Sequence, residues 1–539
     1  MPDPPPGGPT ARPHRRAGTL RLAGFGGLLA CYAAVLVFLR GRPTTNGDGG
    51  IFLSVAAALR HGYTLYSGVW DNKPPLFYYG GALGYAVLGW RGIYLLDVVW
   101  LTLAGVGMAL YLTRLGARRT TVVVGTLAYP LMLTGVWYYA GYSELPAMAV
   151  LPVVAWLWVR GNPVITGLVL GVMVFERPDY AVLFAAVLVT PVVVRSLWGR
   201  QLAVACVRCA GGLLAGVLAT GDVVAARGEL GGYRSTLVGD LGYPSRVLAF
   251  QGEPGGVVGH LKVAGGFLVD DPTRGVAAIL SAALLAGVVV AVLKRVRVRD
   301  MPVTPPERRL AVAVAVAFVG TLVVLAMGAL WRHGMQVVAY PAAIGVALGV
   351  EVVASRVRSQ AMAIAGAVGI VIVIGLGFGG LGVTAPSIGG SPESGWALSQ
   401  WWRPTKSPTA EALNVAAGGR PTTYARLGTA MDQGHMAFID PNLRLVCPIF
   451  AQYMFDAHWP SVVDCITRRA PELLVVDKQF MRQATAPDNA TTPYITDQAR
   501  RYMRTLKTWV EDHYWPVLQR HARGGGLVVW RRAGTTPLR

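Results

Sequence analysis

The chain has 539 residues, 53% of them hydrophobic and only 14% charged. A soluble protein of that size needs more charged surface, so the composition is that of a polytopic membrane protein. The balance of 49 basic to 28 acidic side chains gives a net charge of +21. The arginines gather in short loops between apolar runs, and no basic, aromatic-interleaved soluble face occurs, which argues against nucleic acid as a partner.

Residues 1–21 form an expected cytoplasmic tail, with Met1 to Arg16 rich in Pro and Gly and therefore disordered. Arg12, Arg15, Arg16 and Arg21 precede an apolar run over 22–39 that is long enough to span a bilayer. No small-residue cleavage site follows, so this run reads as a retained signal anchor. Further apolar runs lie at 92–113, 120–137, 145–159, 163–175, 179–194, 202–225, 275–293, 310–330, 335–351 and 360–383. They predict a polytopic α-helical fold of about eleven transmembrane helices over 22–383. With the N-terminus inside, the basic clusters at Arg114/Arg118/Arg119, Arg160, Arg195/Arg200, 294–299 with Arg308/Arg309, and Arg356/Arg358 all fall on the cytoplasmic side.

The outer side then receives two long loops, 42–91 and 226–274, and everything from 384 to 539. Within the first loop, 51–59 and 76–87 are expected to be short helices in the interface plane. Trp70, Trp90 and Trp100, with Tyr78, Tyr79 and Tyr85, fit an aromatic belt. In the C-terminal region the runs 472–477 and 527–530 read as buried strands. The segments 461–470 and 499–510 read as amphipathic helices, giving a small extracytoplasmic α/β domain. Cys31, Cys206 and Cys209 lie in apolar runs and read as packing residues, whereas an extracytoplasmic Cys447 and Cys465 would be free to pair. A sequon stands at Asn489-Ala490-Thr491.

The chemistry-bearing residues begin with Asn46-Gly47-Asp48-Gly49-Gly50, just past the first apolar run. The glycines let backbone approach a ligand, and Asp48 could act as a general base on an attacking hydroxyl; the same residues also make a good turn. The second group is Asp71-Asn72-Lys73-Pro74-Pro75-Leu76. Two prolines bias Lys73 toward extended backbone, suited to holding a phosphate, although it could equally snorkel to lipid headgroups. The chain has six lysines against 43 arginines, so a lysine at this place is informative. Asp71 pairs with Lys73 or orients the loop.

Gly47-Asp48 followed by Asp71-Asn72-Lys73-Pro74-Pro75-Leu76 and Tyr78 resembles the GT-C glycosyltransferases, in particular the protein O-mannosyltransferase and lipid A aminoarabinose transferase branch. The resemblance implies a GT-C-like fold and an enzyme that moves a sugar from a polyprenyl-phosphate donor to an envelope acceptor, whether glycan, lipid or protein. It implies Asp48 as the catalytic carboxylate and Lys73 as a donor-phosphate contact. It makes Glu144, in Gly141-Tyr142-Ser143-Glu144, a candidate second acid, although an acid at a helix start is also favoured by the dipole. Trp331-Arg332-His333 before Tyr340-Pro341 looks like an Arg/His-then-Tyr-Pro pattern late in the family's membrane domain, with Arg332 and His333 as substrate-binding residues. Glu176-Arg177-Pro178-Asp179 departs from the family, many members of which carry a lysine there; Arg177 replaces it, or Glu176 and Arg177 pair with each other.

No metal-ligand spacing and no Asp-x-Asp motif is evident, so a lipid-linked donor and no obligatory metal or other cofactor are expected. The expected location is a bacterial inner membrane. Two rivals stand beside this reading. A transporter or flippase of lipid-linked saccharide would place charges at mid-bilayer in broken helices, and a scaffold would leave Asp48 and Lys73 replaceable.

Overall fold

The computed structural model describes residues 13–40, 48–135, 141–195, 199–240, 248, 253, 255–269, 304–328, 332–356, 408–427, 440, 442–447, 449–450, 459–487, 495–522 and 525–534. The expected spans at 275–293 and 360–383 and the sequon at 489–491 lie outside the described residues, as do residues 1–12 of the tail.

Helix α1 (Pro13–Arg40) begins nine residues before the first apolar run does. Arg15, Arg16 and Arg21 thus form its first turns and are not part of a disordered tail: proline is tolerated at a first helical position and Arg, Ala and Leu are good helix formers. Next come α2 (Asp48–Arg60), the two-residue strand β1 (Val69–Trp70) and α3 (Pro75–Leu88). They are followed by α4 (Gly92–Leu115), α5 (Arg119–Gly135), α6 (Glu144–Arg160), α7 (Pro163–Val174) and α8 (Ala181–Arg195). The rest of the helical part is α9 (Arg200–Ala226), α10 (Leu230–Asp240), α11 (Gly256–Val269), α12 (Pro305–Gly328) and α13 (Ala339–Arg356).

Among the described residues, four segments are long and apolar enough to cross a membrane: Pro75–Leu115, Arg200–Ala226, Pro305–Gly328 and Gly334–Val352. Val207, Leu214, Leu218 and Val223 of α9 are exposed, as are Val319 and Met327 of α12. Apolar side chains left outside a packed bundle suit a lipid surround. The fold is that of a mostly helical membrane protein.

Helix α2 differs from the expectation of an interfacial helix. Ile51, Phe52, Leu53, Val55, Ala56, Ala57 and Ala58 are all buried, which leaves no polar face for water. A helix apolar all round belongs in a core. Helices α7 and α9 meet backbone to backbone: a Cβ on Gly167 would come within 1.9 Å of the Cys209 carbonyl oxygen, and one on Gly212 within 2.1 Å of that of Val164. Cys206 is exposed and Cys209 buried on this same α9, both as free thiols.

One end of the bundle is tied by buried acids. Glu351 accepts from the Arg118 backbone N–H at 2.9 Å and from Thr121 Oγ1 at 2.6 Å. Ser355 donates to Glu307 at 2.7 Å, and Arg309 donates to the Leu115 carbonyl at 3.3 Å. The α4–α5 junction, the start of α12 and the end of α13 therefore share this end.

The C-terminal part comprises α14 (Pro408–Ala417), β2 (Thr422–Leu427), β3 (Leu443–Leu445), β4 (Ile449–Phe450), α15 (Trp459–Arg469), β5 (Leu473–Asp477), α16 (Lys478–Thr485), α17 (Asp497–His513), β6 (Tyr514–Ala522) and β7 (Gly525–Arg532). Its five-stranded sheet has the order β3-β2-β5-β7-β6, parallel across β3, β2 and β5 and antiparallel across β5, β7 and β6. Period-two alternation divides β5 between two cores. Leu473 and Val475 join the core that continues into the membrane helices, while Leu474 and Val476 face Ile466, Met503 and Leu506 of α15 and α17. The expected strands and helices of this region are all present. Strand β6 was not expected from sequence, and Pro516 explains why: proline is tolerated only on an edge strand, and β6 is the edge, with a register shift between Pro516 and Leu518.

Two links join this region to the first loop. Strand β4 pairs in parallel with β1, Val69 opposite Ile449 and Trp70 opposite Phe450. Tyr63 donates from its hydroxyl to the Leu445 carbonyl at 3.0 Å. Cys447, two residues before β4, forms a disulfide with Cys465 of α15, Cα to Cα 5.8 Å.

Candidate active site

The loop from α2 to α3 carries Asp71 and Lys73. Pro74 sits at the α3 N-cap with φ −64° and ψ 155°, and Pro75 occupies the first helical position. Two fixed φ angles deliver the chain into α3 from an extended approach, so Lys73 stands clear of the helix. Asp71 is buried and accepts a short hydrogen bond from the hydroxyl of Tyr78, about one turn into α3. That bond ties the loop to α3. Lys73 is half-buried, its Nζ 6.0 Å from the centroid of the Phe52 ring.

Glu144 opens α6 and is 1% exposed. Its carboxylate receives a short bond from Arg177 Nη1, which also donates to Ser143 Oγ at 3.0 Å. The other edge of the same guanidinium holds Asp179, with Nε to Oδ1 at 2.8 Å, and its plane lies 4.4 Å from the Tyr180 ring centroid. Arg177 therefore does not pair with Glu176; it bridges Glu144 and Asp179. Gly141, just ahead of α6, has φ +77°, and a Cβ there would lie 2.0 Å from Ile93 Cδ1. Only glycine fits that turn. It lets the Gly141 N–H reach Asp97 Oδ2 at 2.9 Å.

Phe52 joins the two groups. Its ring meets Tyr142 edge-on at 5.5 Å, Tyr78 at 6.3 Å and Phe77 at 4.9 Å, with Lys73 over it. Tyr78, the partner of Asp71, and Tyr142, two residues before Glu144, thus both meet Phe52 at the end of the bundle opposite Glu351. The backbone of Asp48 begins α2 four residues, about one helical turn, before Phe52; its side chain lies outside the described residues. Arg332 and His333 begin the 3-10 turn Arg332–Val338 that leads into α13, again at the end opposite Glu351, and their side chains lie outside the described residues. Among the described residues no group of three or more His, Cys, Asp and Glu converges to hold a metal.

Two acids were missed by sequence reasoning. Asp97 is 1% exposed inside α4, and a lone carboxylate within an apolar run is a signal that could have found it. Glu229 is likewise 1% exposed, between α9 and α10, and no motif marks it.

No protein-family model matches the sequence, and no characterised protein matches it either. Among solved structures, the chain is similar to the crystal structure of the Archaeoglobus fulgidus oligosaccharyltransferase in its apo form. The identity is 12%, over 86% of this chain and 71% of that one, with a TM-score of 0.40. At that score the likeness carries no argument about chemistry.

The charge count of the Arg177 cluster bears on what it can do. Two carboxylates already surround one guanidinium, so this arginine has no spare charge to offer a phosphate, whereas Lys73 meets an aromatic ring. Glu176, in the link between α7 and α8, is buried, and its Oε1 has no hydrogen-bond partner among the described residues. Burial pushes its carboxyl from an ordinary 4.5 up to about 8; Arg177 pulls it back and Glu144 adds to the rise. The folded chain then keeps a proton that the unfolded chain releases above its ordinary value. Stability from this group is fully present below 4.5 and is lost as pH rises toward about 8, at up to about 1.4 kcal/mol per pH unit. The thermal midpoint of purified protein should fall between pH 5 and pH 8, and Glu176→Gln should flatten that fall. Equal slopes in the two proteins would refute a neutral buried Glu176.

Proposed function

We propose that this protein is a membrane glycosyltransferase that moves a sugar from a polyprenyl-phosphate donor to an envelope acceptor on the extracytoplasmic side. The observation that carries the reading is the placement of Lys73 over Phe52, which also meets Tyr78, the partner of Asp71, and Tyr142, two residues ahead of the Glu144–Arg177 pair. In the proposed reaction an acceptor hydroxyl attacks the anomeric carbon in a single inverting displacement. The new oxygen–carbon bond forms as the carbon–oxygen bond to phosphate breaks. The hydroxyl proton passes to the Asp48 carboxylate, and the electron pair departs with the phosphate.

Lys73 supplies the cationic contact to that phosphate, with Arg332 and His333 as further substrate-binding residues. Glu144 and Arg177 act as a buried pair that holds the α6 and α8 entries in register, and Asp71 holds the loop. The membrane domain spans 22–383 with about eleven helices, and 384–539 forms an outer domain that helps to position the acceptor. The Cys447–Cys465 disulfide supports an oxidising, extracytoplasmic surround for that domain, and the basic clusters support a cytoplasmic N-terminus in a bacterial inner membrane.

The test is sugar transfer from a panel of radiolabelled polyprenyl-phosphate sugars, with crude envelope as acceptor source. Turnover of one donor is expected, reduced about 10²–10⁴-fold in folded Asp48→Asn, as for loss of a general base. Lys73→Ala is expected to weaken the donor interaction about tenfold or more. Undiminished transfer by Asp48→Asn removes the catalytic assignment, and no turnover with any donor favours a transporter.

A further inference from the structure

Glu229 takes no part in the chemistry proposed above, yet its side chain is fully buried and accepts three hydrogen bonds. The Leu65 backbone N–H reaches Oε1 at 3.1 Å, Arg227 Nε reaches the same oxygen at 3.1 Å, and the Tyr79 hydroxyl makes a short bond to Oε2. Leu65 precedes Asp71-Asn72-Lys73 and Tyr79 follows it. One carboxylate thus clips both flanks of the tripeptide.

The residues after Glu229 extend the grip. Gly232 lies so close to Tyr66 that a Cβ would come within 2.4 Å of the tyrosine Cβ. The Tyr233 ring lies tilted against that of Tyr66, centroids 6.0 Å apart, and Thr236 Oγ1 accepts from Trp70 Nε1 at 3.2 Å. Tyr66 itself has φ 67°, a left-handed conformation that an aromatic residue adopts only when its surroundings hold it there. Its N–H donates to the Val69 carbonyl at 2.7 Å, and its hydroxyl donates to the Lys73 carbonyl at 2.8 Å. A direct line of contact runs from Glu229 through Leu65 and Tyr66 to the Lys73 backbone.

We propose that Glu229 is a positioning residue for the phosphate-binding lysine: it holds the 64–73 loop in the shape that presents Lys73 to an anionic lipid headgroup. The role of Lys73 rests on the function proposed above; the hold on the loop does not. A carboxylate suits the task because two acceptor oxygens serve donors on opposite flanks. A glutamine keeps one of them and should serve in part.

The experiment combines two readouts on the full-length protein in nanodiscs: amide hydrogen exchange over residues 64–73 and binding of undecaprenyl phosphate by native mass spectrometry. Glu229→Ala should speed exchange across that loop and weaken binding about tenfold, with Glu229→Gln between it and wild type. Tyr66→Phe, which removes only the hydroxyl on the Lys73 carbonyl, gives a milder variant that should weaken binding severalfold should Glu229→Ala fail to fold. Glu351→Gln, at the other end of the bundle, should lower the melting temperature without altering either readout. Unchanged exchange in folded Glu229→Ala overturns the proposal. So does unchanged binding there when Lys73→Ala has lost it. Full binding by Lys73→Ala instead sinks the phosphate reading of Lys73, and the exchange data still decide whether Glu229 holds the loop.

Discussion

Arg177→Ala is expected to destabilise the protein by about 3–5 kcal/mol, the cost of removing the compensating guanidinium from a buried carboxylate. The side chains of Arg177 and Glu144 are 11% and 2% exposed, so water replaces little of what the guanidinium supplies. The Asp179 arm matters less, because that carboxylate is 54% exposed and surface pairs are worth about 0–1 kcal/mol. Arg177→Lys should recover only part of the loss, since an ammonium cannot present one edge to Glu144 and Ser143 and the other to Asp179. Arg177→Ala combined with Glu144→Gln should be more stable than Arg177→Ala alone, because the buried charge that Arg177 compensates is gone. Thermal and denaturant unfolding of the four proteins checks this. A double variant no better than the single one would mean that the pair does not carry the cost.

Helices α7 and α9 give the second large effect. Cβ atoms on Gly167 and Gly171 would lie 1.9 and 2.2 Å from the carbonyl oxygens of Cys209 and Leu213; those on Gly212 and Gly216 would lie 2.1 and 2.4 Å from the oxygens of Val164 and Leu168. These are backbone atoms, so no rotamer change relieves the clash. Pairs of small residues four apart on two helices permit this approach and the dispersion contacts that drive association in lipid. Gly171→Leu should therefore force the helices apart, at more than the 1–3 kcal/mol or so of ordinary overpacking. Gly211→Leu, on the same α9 with nothing within 4 Å of its Cβ position, should be silent. Survival of the monodisperse species after heating, followed by size-exclusion chromatography, separates the two. Equal survival would mean that α7 and α9 are not in contact.

By itself the sequence determined the class of the molecule, the places of most apolar helices among the described residues and the two central elements of the five-stranded sheet. Each follows from a local rule. A lipid-facing helix must be apolar along its length, and a buried strand such as Leu473–Asp477 must run apolar between turns. The motif residues Asp71, Lys73 and Glu144 were legible for a similar reason, because charge beside a membrane run is costly. Tertiary structure alone decided their partners. Glu229 meets Leu65 across 164 residues, Glu351 meets Arg118 across 233, and Arg177 chooses Glu144, 33 residues away, over its neighbour Glu176. Helix α2 reads as interfacial until its surroundings show every apolar side chain covered, and β6 reads as irregular until Pro516 falls on a sheet edge. Hydrophobic periodicity reports which face of an element is apolar, whereas a buried carboxylate is satisfied by whichever donor the fold brings within about 3 Å, and that proximity is a property of the packed chain.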